Sequence, residues 1–134
     1  MGYALSATVD RPFQATLEAT RSALADEGFG ILTEIDLAAT LKAKIDADIA
    51  PQVILGACRP PLAHAALQAE PSIGLLLPCN VVVRSLEGGA TLVEAMDPGA
   101  MVTLTGNDEL ADVAADARER LTSALAALAG SGTA

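Results

Sequence analysis

Two cysteines and one histidine are the side chains of this sequence best suited to bind a soft metal ion. Cys58 follows the central predicted strand and precedes a Pro-Pro helix start, His64 follows six residues later, and Cys79 comes in the next predicted strand. Thiolate and imidazole groups are ligands that zinc and copper prefer. We therefore consider Cys58, His64 and Cys79 as a candidate metal site, although the paired cysteine spacing typical of zinc sites and an evident fourth ligand are both missing.

The same residues allow two other interpretations. Thiols at helix N-termini are often reactive, and Arg59 would stabilise a thiolate at Cys58, which makes Cys58 a candidate redox or catalytic nucleophile. Alternatively, both cysteines are small buried side chains, as free cysteines commonly are, and His64 is a surface or satisfied side chain. The sequence leaves these alternatives open.

Hydrophobic periodicity predicts nine elements in the order β-α-β-α-β-α-β-β-α. The predicted strands cover 3–10, 29–36, 52–57, 75–84 and 91–97, and the predicted helices cover 12–28, 37–45, 60–70 and 108–130. A closing hairpin requires at least one antiparallel pair, so we expect an α+β two-layer sandwich, with a mixed or antiparallel sheet and helices on one face. Residues 1–129 are expected to form a single domain, and residues 130–134 a flexible C-terminal tail.

The predicted hairpin gives Glu94 a special position. A two-residue turn at Gly88-Gly89 places Val83 opposite Glu94, on the aliphatic face of the sheet. Glu94 would then be a buried carboxylate that needs a partner, and we include it among the candidate ligand-binding residues. A three-residue loop or a bulge would instead turn Glu94 outward.

Composition and charge exclude several classes of function. Seventeen acidic residues against eight basic ones give a net charge of −9, and the chain has one Tyr, two Phe and no Trp. These numbers predict no nucleic-acid partner, because neither a basic surface nor a stacking platform is available. The longest apolar run, 73–79, is too short to span a membrane, and no signal peptide is evident, so we expect a cytoplasmic protein with reduced cysteines. No motif indicates a cofactor.

Four stretches of sequence carry a resemblance to a known family. They read GFGILTEID at 28–36, ILGACRPPLAH at 54–64, GLLLPCN at 74–80 and AMDP at 95–98. With these stretches, nearly the whole chain resembles the bacterial and archaeal family called domain of unknown function 302. The resemblance implies a small α+β fold and homodimers, but no established reaction. Cys58, His64, Cys79 and Asn80 fall within the matching stretches, which makes them the candidate pocket.

Three functions are consistent with these observations. The first is a non-enzymatic homodimeric module that binds a small ligand or a soft metal near Cys58, His64 and Cys79. The second is a thiol-based redox enzyme or sensor that uses Cys58. The third is a purely structural or partner-binding dimer, in which the open sheet face makes the contact through Val82, Val93 and Ala95.

Overall fold

The computed structural model describes residues 2–131 and contains a five-stranded sheet with five helices in these residues. The strands are β1 (Ala4–Val9), β2 (Gly30–Asp36), β3 (Gln52–Cys58), β4 (Cys79–Ser85) and β5 (Thr91–Met96). The helices are α1 (Phe13–Asp26), α2 (Leu37–Ile45), α3 (Pro60–Ala69), α4 (Gly99–Thr105) and α5 (Ala111–Ser131). Met1 and residues 132–134, which include most of the predicted tail, lie outside the described residues.

The strands are arranged in the order β1-β5-β4-β3-β2, and every neighbouring pair is antiparallel. The predicted α+β class and element order are therefore confirmed, and the sheet is the antiparallel one of the two predicted forms. The sequence prediction missed the short helix α4 and placed a strand over 75–78, where a 3-10 segment, Pro71–Leu76, is found instead. The last helix continues through Ser131, so its predicted end at Gly130 is wrong by one residue.

Two separate apolar clusters stabilise the structure. The larger one lies between one face of the sheet and helices α1 and α5, and its centre consists of Leu55, Val83, Val93 and Leu121. The smaller one joins α3, the 3-10 segment, α4 and the first half of α5 through Ala66, Ile73, Met101, Leu110 and Ala114. No residue of α3 belongs to the larger cluster, so α3 is held to the rest of the protein mainly through the smaller one.

The hairpin between β4 and β5 differs from its predicted register by one residue. Its connection is a three-residue loop, closed by a hydrogen bond from the Leu86 amide to the Ala90 carbonyl at 2.9 Å, with Gly88 and Gly89 at φ of 89° and 93°. Glu94 consequently lies opposite Val82 instead of Val83. The buried-carboxylate interpretation is therefore wrong and the alternative of a three-residue loop that turns Glu94 outward is confirmed, because a shift of one residue moves every side chain of a strand to the other face.

This register also changes the predicted dimer face. Val93 and Ala95 lie on the helix-covered side and are 0% and 2% exposed, so they cannot contribute to an open surface together with Val82. The uncovered face carries Val82 and, on β5, Leu92, Glu94 and Met96. The predicted contact surface of Val82, Val93 and Ala95 is therefore wrong.

Strand β2 has a second irregularity that the sequence pattern does not reveal. Its pairing with β3 shifts between Ile31 and Thr33, so that Leu32 bulges from the strand and is 65% exposed. Ile31 packs against the larger cluster, whereas Ile35 pairs with Ile54 on the opposite face. The bulge therefore places Ile31 and Ile35 on opposite faces, although regular alternation would place them on the same face.

Polar side chains cap the start of α2 and the turn that leads into α5. The Asp36 carboxylate accepts a hydrogen bond from the Ala39 amide at 2.9 Å and caps α2. The Asn107 side chain accepts one from the Glu109 amide at 2.9 Å before the turn that leads into α5. Among residues 2–131, no helix has both the length and the apolar character that crossing a membrane requires.

The position of Leu55 at the centre of the sheet leads to a prediction for stability. Leu55 is 0% exposed, so Leu55→Ala should leave a cavity and lower the free energy of unfolding by about 2–5 kcal/mol. The matched control is Leu104→Ala, because Leu104 is 66% exposed and its change should cost less than about 0.5 kcal/mol. Urea denaturation of both variants measures the difference, and equal losses would contradict the described core.

Candidate functional site

The five candidate site residues occupy three different places. Cys58 and Cys79 line one small, partly open cavity, at the end of the sheet nearest α3. Asn80 and Glu94 line a separate cleft on the uncovered face of the sheet. His64 is exposed on α3 and does not line the cysteine cavity. The predicted single pocket is thus divided, and only the two cysteines are brought together.

The helical geometry of α3 explains why His64 is excluded. Leu62, Ala63 and Ala66 line the cavity, and residues three or four apart share one side of a helix. His64 follows Leu62 by two positions and therefore points away from Leu62 and Ala66. His64 is therefore a surface side chain, which is one of the alternatives that the sequence had left open.

The three predicted metal ligands are not grouped together in the structure. Among residues 2–131, no three His, Cys, Asp or Glu side chains are grouped so that they could hold a metal ion. The structure does not bring His64 to Cys58 and Cys79, because His64 lies on the outer side of α3.

The cysteine cavity lies where the two apolar clusters meet. Its volume is about 20 Å³, which is enough for about one water molecule. Its walls are almost entirely apolar and combine residues of the sheet, of α3, of α5 and of the segments between them: Phe29, Ala57, Cys58, Arg59, Leu62, Ala63, Ala66, Leu77, Cys79, Met101, Val113 and Ala117. Several of these wall residues are alanines, whose small side chains leave the space unfilled.

Arg59 provides the charged group at this cavity. Its Nε atom is buried and is the one buried side-chain nitrogen or oxygen within residues 2–131 that has no hydrogen-bond partner. The Arg59 side chain lies against Gly28, where an added Cβ atom would come within 2.9 Å of Nε. Gly28 also has a φ of +85°, so this position both adopts a glycine conformation and leaves room for the guanidinium group.

The two thiols are free and belong to adjacent strands. Cys79 lies opposite Ala57, the residue before Cys58, in the pairing of β3 with β4. Burial, and to a smaller extent the neighbouring Cys58, raise the pKa of the Cys79 thiol above its usual value. Cys79 is therefore a protonated thiol at neutral pH, which suits a wall residue better than a nucleophile.

The cleft on the uncovered face contains the other two predicted residues. Asn80 and Glu94 line it together with Tyr3 and Met96, and its volume is about 300 Å³. Glu94 is half-buried, and its carboxylate accepts a hydrogen bond from Arg84 Nε at 3.1 Å. This carboxylate already has a charged partner, so nothing about it demands a ligand.

From the sequence, Arg59 was expected only to stabilise a thiolate at Cys58. Its buried Nε, a hydrogen-bond donor without a partner, was not predicted. A signal was present, because an arginine directly follows a strand that is apolar on both faces and precedes two prolines. The side chain of a residue in this position begins where the buried strand ends, so part of it can be buried. The direction in which it points depends on Gly28, which is thirty-one positions away in the chain.

The raised pKa of Cys79 leads to a prediction for its alkylation. In a Cys58→Ser variant, where Cys79 is the remaining thiol, the rate of reaction with iodoacetamide should still be rising at pH values above the ordinary thiol pKa. Burial favours the protonated form, so the midpoint of the folded protein should lie higher than that of the same variant unfolded in urea. Coincident midpoints in the two states would contradict the buried position of Cys79.

Comparison with known proteins agrees with this fold. The model of the family described as domain of unknown function DUF302 matches residues 5–128. The fold is similar to the crystal structure of an uncharacterized conserved DUF302 protein from Bacillus stearothermophilus, with 29% identity and a TM-score of 0.88. The similarity covers 96% of this chain and 99% of that one, whereas no curated protein matches. The chain therefore belongs to the DUF302 family.

Proposed function

We propose that this protein is a non-enzymatic, homodimeric module that binds a small, mostly apolar molecule with one hydrogen-bond acceptor. The binding site is the cavity lined by Cys58 and Cys79, and the acceptor pairs with Arg59. The observation that carries this proposal is the buried Arg59 Nε, which lacks a partner beside an apolar cavity. Small-molecule sites commonly combine apolar walls with a few polar groups in this way.

The unpaired donor is the energetic reason for expecting a ligand. A buried donor without a partner costs about 1–3 kcal/mol, and a charged one costs more. Native proteins rarely retain such a group unless water, an ion or a ligand satisfies it. One water molecule fits the cavity as it stands. A ligand acceptor that reached Nε would satisfy this donor and also cover the apolar wall.

The attachment of α3 would allow a ligand larger than water to enter. The C-terminal end of α3 is tied to Asn107, whose Nδ2 donates to the Ala69 carbonyl at 2.9 Å and to Glu70 Oε1 at 3.0 Å. Ala66 is the helix's one buried residue. A small outward displacement of α3 would therefore enlarge the cavity and leave the larger cluster intact.

A pair of solutes of the same shape tests this proposal. Cyclohexanone has the carbonyl acceptor, whereas methylenecyclohexane has a CH₂ group in its place. We expect cyclohexanone to bind more tightly, by about tenfold to a hundredfold, because a hydrogen bond from a charged donor is worth about 1.5–3 kcal/mol. NMR titration that follows the amide signals of Cys58, Ala63 and Ala66 measures both affinities.

The Arg59→Met variant completes the experiment. It should remove the preference for cyclohexanone and leave the free energy of unfolding unchanged or higher, because an unpaired buried donor is replaced by an apolar chain. Arg84→Met is the matched control, since it removes the same charge outside the cavity. If neither solute shifts these signals in the natural protein, ligand binding in this cavity is wrong and the purely structural dimer is favoured.

A thiol-based activity of Cys58 is the second candidate function. It is supported by the position of Cys58 directly before Arg59 and α3, and by the presence of a second thiol at the same cavity. Alkylation of a Cys79→Ser variant at pH 7 tests it. A Cys58 rate well above that of an ordinary cysteine peptide would favour this function, and an ordinary rate would exclude it.

The homodimer is the third element of the proposal. It is supported by strand β1, which ends the sheet on one side and carries neither a charge nor a proline along Ala4–Val9. A regular, uncharged edge of this kind is suited to pair with another strand. The molecular mass in solution tests this element, as part of the experiment described below.

A further inference from the structure

The two edge strands of the sheet differ in how they are protected against pairing with another chain. Edge strands commonly carry charges, bulges or prolines, which prevent association through their free backbone groups. Strand β2 has two of these features, the bulge at Leu32 and the acidic side chains Glu34 and Asp36. Glu34 is also held in an ion pair with Arg21.

Strand β1 has none of these features. Its six residues, ALSATV, include no charge and no proline, and its pairing with β5 is continuous from Ala4 to Val9. Because β1 is the last strand of the sheet on this side, one of its two edges has no strand beside it among residues 2–131. An uncharged and regular edge of this length is suited to accept another strand.

We infer that β1 of one molecule pairs antiparallel with β1 of a second copy, so that the two sheets form one continuous sheet. This inference rests on the proposed homodimer and identifies its surface. A second copy is the occupant that the charges favour. The chain has a net charge of −9, and pairing through β1 brings together two strands without acidic residues, which avoids like charges directly opposite each other.

A groove along the same edge supports this inference. It has a volume of about 370 Å³ and lies between β1 and α5, where it is lined by Leu5, Ser6, Ala7, Arg118, Thr122, Leu125, Ala126 and Ala129. Ser6 belongs to the uncovered face, while Leu5 and Ala7 face the helices, so the groove follows the free edge itself. Leu5 and Ala7 pack on the larger cluster and yet remain partly exposed. A second β1 strand would cover them.

The alternation of β1 restricts the register of this pairing. Leu5, Ala7 and Val9 face the helices, so an antiparallel partner must place its own helix-facing residues opposite them. A twofold axis at Ala7 meets this condition and places Leu5 opposite the partner's Val9. It also places Ser6 opposite the partner's Thr8, a favourable cross-strand pair.

Lysine substitutions on β1 test the surface. Ser6 and Thr8 are both exposed, so Ser6→Lys combined with Thr8→Lys should leave the fold intact while placing like charges opposite each other in the dimer. Leu32→Lys combined with Thr40→Lys is the matched control, with the same change of charge at exposed positions in β2 and α2. Light scattering at micromolar concentration measures the mass, and circular dichroism checks the fold.

We expect the natural protein and the control to have twice the 13.5 kDa mass of one chain, and the β1 variant to have the mass of one chain. A monomeric natural protein would overturn the proposed homodimer, and this surface with it. A dimer that survives the β1 substitutions would overturn the β1 surface alone, since the dimer itself would stand.

A crosslink tests the register independently of charge. In a variant with Cys58→Ser and Cys79→Ser, Ala7→Cys places the two new thiols opposite each other at the twofold axis, within reach of a disulfide. Oxidised glutathione should then convert most of the protein into a crosslinked dimer, whereas Thr40→Cys in the same background should remain uncrosslinked. A dimer by light scattering that forms no crosslink at Ala7 would overturn this pairing.

Discussion

Packing of α1 and α5 against the central strands is the constraint on which the rest of the structure depends. Leu55, Val81, Val83 and Val93 form a wholly buried aliphatic layer beneath these two helices. Alternation along each strand leaves the other face without this cover. The same packing therefore determines which residues reach the core, which reach the uncovered face, and where the free edge of β1 lies.

The candidate binding site exists because α3 is not part of this main packing. Helix α3 belongs to the smaller cluster around Ala66, Ile73 and Met101, and the seam between the two clusters is incompletely filled. Cys58, Cys79 and Arg59 lie at this seam because β3 ends and β4 begins there. A site between two packed units can change its volume when one unit moves, which is consistent with ligand binding between α3 and the sheet.

Two local irregularities determine on which face of the sheet Glu94 and Ile35 lie, and hydrophobic periodicity does not reveal either irregularity. The three-residue hairpin loop moved Glu94 to the uncovered face, next to Arg84, and the bulge at Leu32 separated Ile31 from Ile35. Each irregularity changes the register by one residue, and each therefore reverses a face. A sequence pattern identifies strands reliably when apolar residues alternate, but one additional loop residue is enough to make the predicted opposite pairs wrong.

The sequence by itself determined the α+β class, the order of the strands and main helices, and the family. These features depend on local periodicity, on turn residues and on short characteristic stretches. Only the tertiary structure decided that Cys58 and Cys79 share a cavity, that His64, Asn80 and Glu94 lie elsewhere, and that Arg59 Nε is left without a partner. These facts depend on strand register, on the orientation of α3 and on the contact of Arg59 with Gly28, all of which join residues far apart in the chain.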